Sequence, residues 1–463
     1  MNPIAYLTQH PEIVLYHGLL AFSGVVAVGV LLHLFYQRRS SSAIAAWLMF
    51  IFILPYVAFP LYLIIGIRKR KNRYKKESVL PNSTEKSKHA GNLLGNGPLY
   101  DAALNARMEL FFDASEAYTA LMHAIENAKT SIHISIYILK YDTIGKSIIG
   151  ILTKKAKAGV QVKLLIDSLG SAPLYLLQYR LKKLRDAGAE VEFFMPIFEM
   201  PFRNYINLRN HRKIYIFDDQ IALSGGSNIS REYFAIPKRK SEWEDIMFLI
   251  EGESVESFFE IFASDWRYAS DKKLAFNPPK EVKKADIYAQ IIPSGPDMQR
   301  DTLYETLLSA IYGAQEKISI ITPYFIPNDS LVEALIIASH RGVNVTLVTP
   351  KEADHAIVNL VRCSYMRELE EAGAKIYLYE KAMLHAKAII FDEHSAMLGS
   401  VNFDNRSLFL NYEVAAFVYS DKIIAQMLSW TQMLINNSFE GTKKASDARR
   451  VFENLLRIFA PQL

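Results

Sequence analysis

The chain has 463 residues, of which 50% are hydrophobic, and its mean hydropathy of +0.06 is high for a purely soluble protein. This length accommodates a membrane segment and two domains of ordinary size. The formal net charge of +5 is too small to indicate nucleic-acid binding by itself. The chain contains one cysteine, Cys363, which excludes an intramolecular disulfide and a cysteine-based zinc site.

Two apolar segments lie near the N-terminus. Residues 13–36 and 43–67 contain no Asp, Glu, Lys or Arg. Each segment has the length needed to cross the hydrocarbon core of a bilayer. Pro55 and Pro60 are expected to kink the second segment or to make part of it re-entrant. A signal peptide fits poorly, because residues 1–12 contain no Lys or Arg. The alternative is a pair of buried helices in a soluble domain.

Basic residues predict the orientation of these segments. Seven Lys and Arg residues lie between Arg68 and Lys76, whereas the connection between the segments offers Arg38 and Arg39. Because basic clusters remain in the cytoplasm, we predict a multi-pass protein with both termini and the catalytic domain on the cytoplasmic side. The larger cluster serves either as a topology signal alone or also as a contact for anionic lipid headgroups.

The rest of the chain contains two similar halves. A polar linker rich in Ser, Asn, Lys and Gly is followed by alternating helical and β-rich stretches. The closest internal match pairs LRDAGAEVEFF at 184–194 with LEEAGAKIYLY at 369–379. This alternation predicts an α/β fold in which helices cover sheets. We therefore predict a transmembrane hairpin over residues 1–76, a linker over 77–100, and repeated α/β halves over 101–285 and 286–463.

One short pattern, H-x-K-x-x-x-x-D, occurs in each half and is followed by a pair of small residues and an asparagine at the same offset. Two copies with identical internal spacing indicate duplicated half-sites that meet in one active centre. The chemical groups of the two copies are His211, Lys213, Asp218 and Asn228 in the first half, and His385, Lys387, Asp392 and Asn402 in the second.

The residue types of this pattern suit a phosphate group. Alternate residues of a strand face the same side, so the His and Lys of each copy are expected to point together. The Lys neutralises phosphoryl oxygens, and the His attacks phosphorus or moves a proton. The pairs Gly225-Gly226 and Gly399-Ser400 permit close approach of the backbone. A metal site is the alternative, but no carboxylate cluster stands at ligand spacing and each Lys disfavours a cation.

The motifs resemble those of the phospholipase D superfamily, in which two H-x-K-x-x-x-x-D half-sites form one centre. The resemblance is closest to the bacterial cardiolipin synthases, and it covers nearly the whole chain. It implies two phospholipase D-like α/β halves related by a pseudo-two-fold axis, preceded by a two-helix membrane segment. The segments that carry it include residues 207–213, 224–228, 294–297, 322–327, 399–407 and 411–413.

The resemblance also implies roles for individual residues. One histidine attacks the lipid phosphorus, and the other protonates the departing alcohol and then deprotonates the incoming one. His211 is the expected nucleophile and His385 the expected acid/base, although the quasi-symmetry of the motifs leaves the reverse order open. Glu244 is the alternative to Asp245 as an orienting carboxylate. The remaining expected roles are phosphoryl binding by Lys213, Lys387, Asn228 and Asn402, histidine orientation by Asp245 and Glu413, and support by Asp218 and Asp392.

The activity implied by the resemblance is the conversion of two phosphatidylglycerol molecules into cardiolipin and glycerol at the bacterial inner (cell) membrane. No metal and no other cofactor are expected. The expected partners are phosphatidylglycerol and anionic membrane lipids, without nucleic acid. Alternatives are phospholipid hydrolysis by the same site, a nuclease and an inactive scaffold. Two apolar segments weigh against the nuclease, and the presence of every motif His and Lys weighs against the scaffold.

The C-terminal residues 447–463 contain apolar residues interleaved with arginines. The apolar positions of this pattern are Val451, Leu455, Ile458 and Phe459. We expect the segment to pack on the catalytic core, and the alternative is contact with the membrane surface. The oligomeric state is not predicted by the sequence.

Overall fold

The computed structural model describes residues 10–36, 41–65, 76, 102–198, 207–234, 243–278, 286–298 and 300–462. These residues belong to two compact units. The first contains the described residues up to Ile65 together with Asn207, and the second contains the others. The predicted linker over 77–100 lies outside the described residues, as do residues 68–75 of the basic cluster.

The N-terminal unit contains three apolar helices. Helix α1 (Pro11–Tyr36) has 26 residues and is the one helix in the described ranges that is long and apolar enough to cross a membrane. Helices α2 (Ser41–Ile53) and α3 (Pro55–Ile65) have 13 and 11 residues. A break at Leu54 separates them, because a proline disfavours helical geometry at the residue before it. The second apolar segment is therefore two helices, and neither reaches the roughly 20 residues of a single span.

Apolar side chains hold these three helices together. Val30 and Leu34 of α1 form a buried cluster with Ile51, Ala58 and Tyr62. The Tyr62 hydroxyl also lies 2.6 Å from Nδ1 of a histidine on α1. The rest of α1 is largely exposed, which fits a helix surrounded by lipid better than a buried helix of a soluble domain.

Strands and helices alternate in the second unit, as the sequence predicted. Helix α4 begins after Asp113, whose carboxylate accepts the N–H groups of Ser115 and Glu116. The elements of the first half are β1 (Ala103–Phe111), α4 (Ala114–Asn127), β2 (Ser131–Ile136), α5 (Thr143–Lys157), β3 (Gln161–Asp167), α6 (Ala172–Leu176), a 3₁₀ turn (Gln178–Leu181), α7 (Lys182–Asp186), β4 (Glu190–Phe194), β5 (Ile214–Phe217), β6 (Ile221–Gly225), α8 (Arg231–Phe234), β7 (Met247–Gly252) and α9 (Ser254–Ser270).

The second half follows a similar order and adds short elements near its end. Its elements are β8 (Ile287–Ser294), α10 (Thr302–Gly313), β9 (Lys317–Ile321), β10 (Phe325–Ile326), α11 (Asp329–His340), β11 (Asn344–Pro350), α12 (Ala356–Glu371), β12 (Lys375–Tyr379), β13 (Ala388–Phe391), β14 (Ser395–Gly399), β15 (Phe403–Asp404), α13 (Asn405–Phe409), β16 (Glu413–Tyr419), α14 (Asp421–Ile435), β17 (Ser438–Glu440), α15 (Asp447–Leu456) and a 3₁₀ turn (Arg457–Gln462).

The internal sequence match corresponds to the same structural unit in each half. Residues 184–194 contain the end of α7 and strand β4, and residues 369–379 contain the end of α12 and strand β12. Gly188 and Gly373 follow the two helices with φ of +98° and +97°. Glycine is favoured at such a helix end because a side chain disfavours positive φ.

Fifteen of the strands in the described ranges form one mixed sheet, in the order β17-β12-β11-β9-β13-β14-β16-β8-β1-β7-β6-β5-β2-β3-β4. Strands β2, β3 and β4 pair in parallel, and so do β9, β11 and β12, because a helix crosses over between successive strands. Strands β1 and β8 pair antiparallel in the middle of the sheet. Strands β5 and β13, which follow the two motif histidines, hold equivalent inner positions.

Each half buries its own apolar core. The first core includes Leu121 and Ile125 of α4 together with all the apolar residues of β2. The second core includes Ile320, Leu347 and their neighbours. Ala117, Leu121 and Ile125 lie on the buried face of α4, as their helical spacing predicted. Helix α15 packs on α12, so the prediction that the C-terminal residues contact the catalytic core is confirmed.

Candidate active site

The His-Lys pair of each motif lies just before a strand of the sheet. His211 and Lys213 precede β5, and His385 and Lys387 precede β13. The sequence placed these residues on the strands themselves. The structure instead has them in short extended segments, and all four side chains are buried. These segments lie outside the hydrogen-bonded ladder of the sheet because their backbone pairs with the other half of the chain.

The main chain of the opposite half holds each motif histidine. The N–H of His211 donates to the Tyr412 carbonyl at 2.9 Å, and the N–H of His385 donates to the Glu244 carbonyl at 2.7 Å. Parallel bridges at the preceding residues accompany both contacts. Tyr412 and Glu244 each immediately precede a predicted orienting carboxylate. The backbone therefore carries each carboxylate to the histidine of the other half.

The two carboxylates cross between the halves. Glu413 Oε1 lies 2.8 Å from Nδ1 of His211, and Asp245 Oδ2 lies 2.8 Å from Nδ1 of His385. The Nδ1–H of each ring donates to its carboxylate, so Nε2 keeps a lone pair for chemistry. The side chain that holds His385 is Asp245, and Glu244 contributes its backbone carbonyl. The structure thus brings both motifs into one centre.

Different neighbours support the two carboxylates. Ser400 Oγ donates to Glu413 Oε2 at 2.5 Å, and Asn411 Nδ2 donates to Oε1 at 3.3 Å. The first copy has Gly226 where the second has Ser400. A Cβ at Gly226 would lie 2.1 Å from Oδ1 of Asp245. The difference between the copies therefore has a steric basis, because the Asp245 carboxylate occupies the space that a side chain would need.

The preceding glycines allow the close backbone approach that the sequence predicted. Gly225 and Gly399 end β6 and β14 with φ of +149° and +157°. A Cβ at Gly225 would lie 2.4 Å from the Ile246 carbonyl oxygen, and one at Gly399 would lie 2.4 Å from that of Val414. Both carbonyls belong to residues that directly follow an orienting carboxylate. Glycine at these positions lets each carboxylate-bearing strand lie against its motif.

Two buried ammonium groups lie beside the histidines. Lys213 Nζ donates to the His211 carbonyl at 2.7 Å, and Lys387 Nζ lies 2.6 Å from Nδ1 and 3.0 Å from Nε2 of His385. Burial, opposed by Glu413, lowers the pKa of Lys213 to about 7. Burial, opposed by Asp245, lowers the pKa of Lys387 to about 8. Two cations in one enclosed site suit a phosphate anion.

Both motif histidines are neutral at pH 7. Burial, opposed by Glu413, lowers the pKa of His211 to about 4. Burial together with Lys387 lowers the pKa of His385 to about 3. Burial raises the pKa of Asp245, but Lys387 and His385 outweigh it, and the pKa lies below its usual value. A neutral imidazole held by an ionised carboxylate is the state that a nucleophile or general base requires.

The two motif asparagines differ in their contacts. Asn228 Oδ1 accepts the Ile138 N–H at 3.2 Å, and Asn228 Nδ2 donates to the Tyr233 hydroxyl at 3.0 Å. That hydroxyl lies 3.4 Å from Nε2 of His385. The Asn402 Oδ1 atom is buried and has no hydrogen-bond partner among the described residues. Asn228 therefore belongs to a hydrogen-bond network that reaches His385.

Asp218 and Asp392 lie at the far ends of β5 and β13 from the histidines. Their carboxylates accept backbone N–H groups of residues 129–131 and 315–317, respectively. Both residues occupy turns with φ of +53° and +51°. Burial raises the pKa of each carboxylate, but these N–H groups outweigh it and bring the pKa below its usual value. These contacts tie each motif strand to the start of its neighbour.

Three aromatic residues at the centre were missed by the sequence analysis. The ring of Tyr137 lies 4.8 Å from that of His211, and Tyr233 and Trp243 lie 5.1 and 5.0 Å from His385. Tyr137 directly follows strand β2, and an aromatic residue at the end of an inner strand could have indicated a residue that lines the centre. Neither of the other two belongs to a recognisable motif. In the described ranges, no group of three or more His, Cys, Asp or Glu residues is arranged to hold a metal ion.

Comparisons with known proteins identify the family of this chain. A family model described as "Cardiolipin synthase, PLD-like domain" matches residues 121–266 and 307–435, and one described as "Phospholipase_D-nuclease N-terminal" matches residues 25–66. A cardiolipin synthase of Clostridium perfringens is 33% identical, over 92% of this chain and 95% of the relative. The major cardiolipin synthase of Bacillus subtilis is 33% identical, over 93% and 95%.

A solved structure supports the fold. The phosphatidylserine synthase of Haemophilus influenzae superimposes with a TM-score of 0.59 at 18% identity, covering 78% of this chain and 97% of that one. This likeness shows a shared architecture. The two-part match to the family model covers more than half of the chain, and relatives at 33% identity extend over nearly all of it. The chain therefore belongs to the cardiolipin synthase family of phospholipase D-like enzymes and is a phosphatidyltransferase.

Proposed function

We propose that this enzyme converts two phosphatidylglycerol molecules into cardiolipin and glycerol through a phosphatidyl-histidine intermediate. The observation that carries the proposal is the crossed pairing of His211 with Glu413 and of His385 with Asp245. It places two neutral imidazoles, each held through Nδ1, in a centre that also contains two buried ammonium groups. A double displacement at phosphorus needs one neutral imidazole that attacks and a second imidazole that gains and loses a proton.

In the first displacement, Nε2 of His211 attacks the phosphorus of one phosphatidylglycerol. A P–N bond forms as the bond from phosphorus to the headgroup glycerol oxygen breaks. The negative charge of the bound phosphodiester favours the protonated form of His385, which gives its Nε2 proton to that oxygen, and glycerol leaves. Asp245 stabilises the imidazolium that precedes this transfer, since its carboxylate lies 2.8 Å from Nδ1.

In the second displacement, His385 accepts the proton of a headgroup hydroxyl on a second phosphatidylglycerol. The hydroxyl oxygen attacks phosphorus, the P–N bond breaks, and His211 returns to its neutral state. The product carries two phosphatidyl groups on one glycerol, and His385 is again protonated for the next cycle. Glu413 stabilises positive charge on the His211 ring while the intermediate exists.

Four further groups are proposed to stabilise the charge that develops on the phosphoryl oxygens. Lys213 and Lys387 supply positive charge from within the buried centre. Asn228 and Asn402 supply amide hydrogens, and the Asn228 amide exchanges its contact with Tyr233 for the phosphate. Asp218 and Asp392 act at a distance by fixing the two motif strands.

We further propose that the halves span residues 101–285 and 286–463 and are related by a pseudo-two-fold axis. The repeated strand order, the separate apolar cores and the crossed contacts support this relation. Residues 1–76 form a two-pass membrane segment in this proposal, with the catalytic halves in the cytoplasm at the bacterial inner membrane. Support comes from α1 and from the basic residues after the second apolar segment. A cysteine placed in the connection between these segments should then react with an impermeant thiol reagent added outside the cell.

Product analysis tests the proposed reaction. The purified full chain is given labelled phosphatidylglycerol in liposomes, and lipids are separated by chromatography. Equal amounts of cardiolipin and glycerol are expected. Phosphatidic acid as the only lipid product would instead establish hydrolysis, and cleavage of DNA without lipid turnover would establish a nuclease.

Trapping the intermediate tests which histidine attacks. A reaction with phosphorus-labelled donor is stopped in alkali, in which phosphohistidine survives, and the labelled peptide is identified by mass spectrometry. The adduct is expected on His211, and His385→Asn should slow both its formation and its decay. His123→Ala, which changes an exposed histidine on α4, is the matched control. Label on His385 in the native chain would reverse the two roles.

A further inference from the structure

Helix α15 and the 3₁₀ turn after it contact the catalytic core through charged side chains. Glu453 of α15 is fully buried and pairs with Arg367 of α12 and, at 2.7 Å, with Arg449. Arg457 lies 2.6 Å from Glu368. A helix at a protein surface ordinarily packs its apolar face inward and exposes its charges. This helix instead buries the charged side chain of Glu453 and leaves most of its apolar side chains exposed.

The apolar face of the segment points outward. Val451 and Leu455 are 69% and 58% exposed, and Phe452, Ile458 and Phe459 are about half exposed, whereas Leu456 packs against the core of the second half. Positions separated by three or four residues share one side of a helix, so these side chains form a continuous stripe. The stripe consists of Val451, Phe452, Leu455, Ile458 and Phe459. An exposed apolar stripe of this size indicates a surface that contacts a membrane or another protein in the working enzyme.

Basic side chains surround the beginning of α15. Next to it lies a cavity of about 400 Å³ whose lining includes four basic residues and one acidic residue, Glu352. Arg362 in this lining is buried and has no carboxylate ion pair among the described residues. Two of its nitrogens donate to Thr349 Oγ1 and the Lys351 carbonyl, and its Nε has no hydrogen-bond partner among those residues. A guanidinium buried in this way favours an anionic ligand. The basic lining residues are Lys351, Arg362, Lys443 and Arg449.

The stripe is anchored next to the active centre. Ala460 in the 3₁₀ turn is buried in the core of the second half, and its carbonyl accepts the Asn405 side chain at 3.4 Å. Asn405 begins α13, which follows the segment that contains Asn402. A membrane or protein that contacts the stripe would therefore lie beside the centre that is proposed to bind lipid phosphates.

We propose that α15 and the turn after it lie in the surface of an anionic phospholipid bilayer. The apolar stripe enters the interface, and the basic residues at the start of α15 bind lipid phosphates, one of them in the cavity lined by Arg362. The inference deepens the proposed function, because it states how the catalytic halves meet a bilayer that holds their substrate. The basic surroundings favour an anionic bilayer over a second copy of this basic chain.

A dye at residue 452 tests the proposal without measuring activity. Cys363 is buried, and burial raises the pKa of its thiol, so Phe452→Cys provides a selectively reactive thiol. The full chain carrying an environment-sensitive dye there is reconstituted into phosphatidylglycerol-containing liposomes. Blue-shifted emission and quenching by bromine-substituted acyl chains are expected. A dye at Tyr312→Cys, an exposed aromatic position on α10, should show neither effect.

Activity provides the second test. Phe452→Ser combined with Leu455→Ser is expected to raise the KM for phosphatidylglycerol in liposomes by about tenfold, because apolar area no longer enters the interface. The kcat on a dispersed short-chain donor should stay unchanged. Ile337→Ser combined with Met433→Ser, which changes exposed apolar residues on α11 and α14, should leave both values unchanged.

The outcomes separate this proposal from the proposed function. Water-like emission at residue 452, or quenching of that dye by a second labelled copy and not by the lipid, would overturn membrane docking even in a fully active enzyme. The same holds for an unchanged KM in the Phe452 and Leu455 variant. If the enzyme forms no cardiolipin but the dye still enters the lipid, the proposed reaction fails and the docking surface stands.

Discussion

The contact between Gly226 and Asp245 provides a severe test of the orienting role of that carboxylate. In Gly226→Ala, the new Cβ would lie 2.1 Å from Oδ1, whereas ordinary contact begins at about 3.4 Å. The carboxylate must therefore retreat by about 1.3 Å, the difference between these distances. Such a shift breaks the 2.8 Å hydrogen bond between Asp245 and Nδ1 of His385.

The expected loss of activity follows from that hydrogen bond. A hydrogen bond to a charged group contributes about 1.5–3 kcal/mol. If this energy is lost from the transition state, kcat falls roughly 10- to 150-fold. The assay is the initial rate of cardiolipin formation from phosphatidylglycerol in liposomes, with the thermal unfolding midpoint measured in parallel.

Two variants control this experiment. Gly150→Ala adds a Cβ on helix α5 with no atom within 4 Å, so kcat should not change and stability should not decrease. Asp245→Asn keeps the side-chain volume and removes the charge, and it should lower kcat comparably even if Gly226→Ala fails to fold. A folded Gly226→Ala enzyme with native kcat would refute the orienting role of Asp245.

Further predictions concern the neighbouring carboxylate, pH and metals. Ser400→Ala removes a donor to Glu413 and should lower kcat roughly five- to tenfold, measured in the same assay. Burial lowers the pKa of His133 and His211 to about 4 and that of His385 to about 3, so the unfolded chain binds more protons below pH 6.5. The free energy of unfolding should therefore fall as pH decreases from 6.5 towards 4, measured by urea titration, and a flat profile would contradict the burial of neutral histidines. The pKa values of about 7 and 8 for the motif lysines predict that kcat declines between pH 7 and 9 as their charge is lost. Turnover should persist in a chelator, and a loss restored by one divalent ion would show that the proposed cycle is incomplete.

The residues of the proposed centre could be selected from the sequence because they lie in a short repeated pattern. His211, His385 and their lysines can be identified from spacing alone, and the strands after them are apolar and β-branched. The crossed pairing could not be predicted in this way. Glu413 is separated from His211 by 202 positions and Asp245 from His385 by 140, so the contacts depend on how the halves dock. Tyr233 reaches the centre for the same reason and belongs to no motif.

Two other features differ from the simplest interpretation of the sequence. The kink predicted at Pro55 is a full break, since one helix ends at Ile53 and a new one begins after Leu54, whereas Pro60 lies inside the second helix without ending it. The pattern of residues 447–463 predicted that this segment packs on the catalytic core, and α15 does pack on α12. It did not indicate that Glu453 would find a buried arginine partner on α12 and turn the apolar face outward.

The crossed carboxylates have a consequence for the way this enzyme can fail. Neither half contains a complete pair of motif histidine and carboxylate, since each half contributes the histidine of one pair and the carboxylate of the other. A slight separation of the halves would therefore misalign both histidines at once, while each apolar core stayed intact. A loss of activity would therefore reveal a separation of the two halves before a change in secondary-structure content could be detected. A protein with only one such half would need a symmetric partner to assemble any working centre, and it would gain both pairs in the same step.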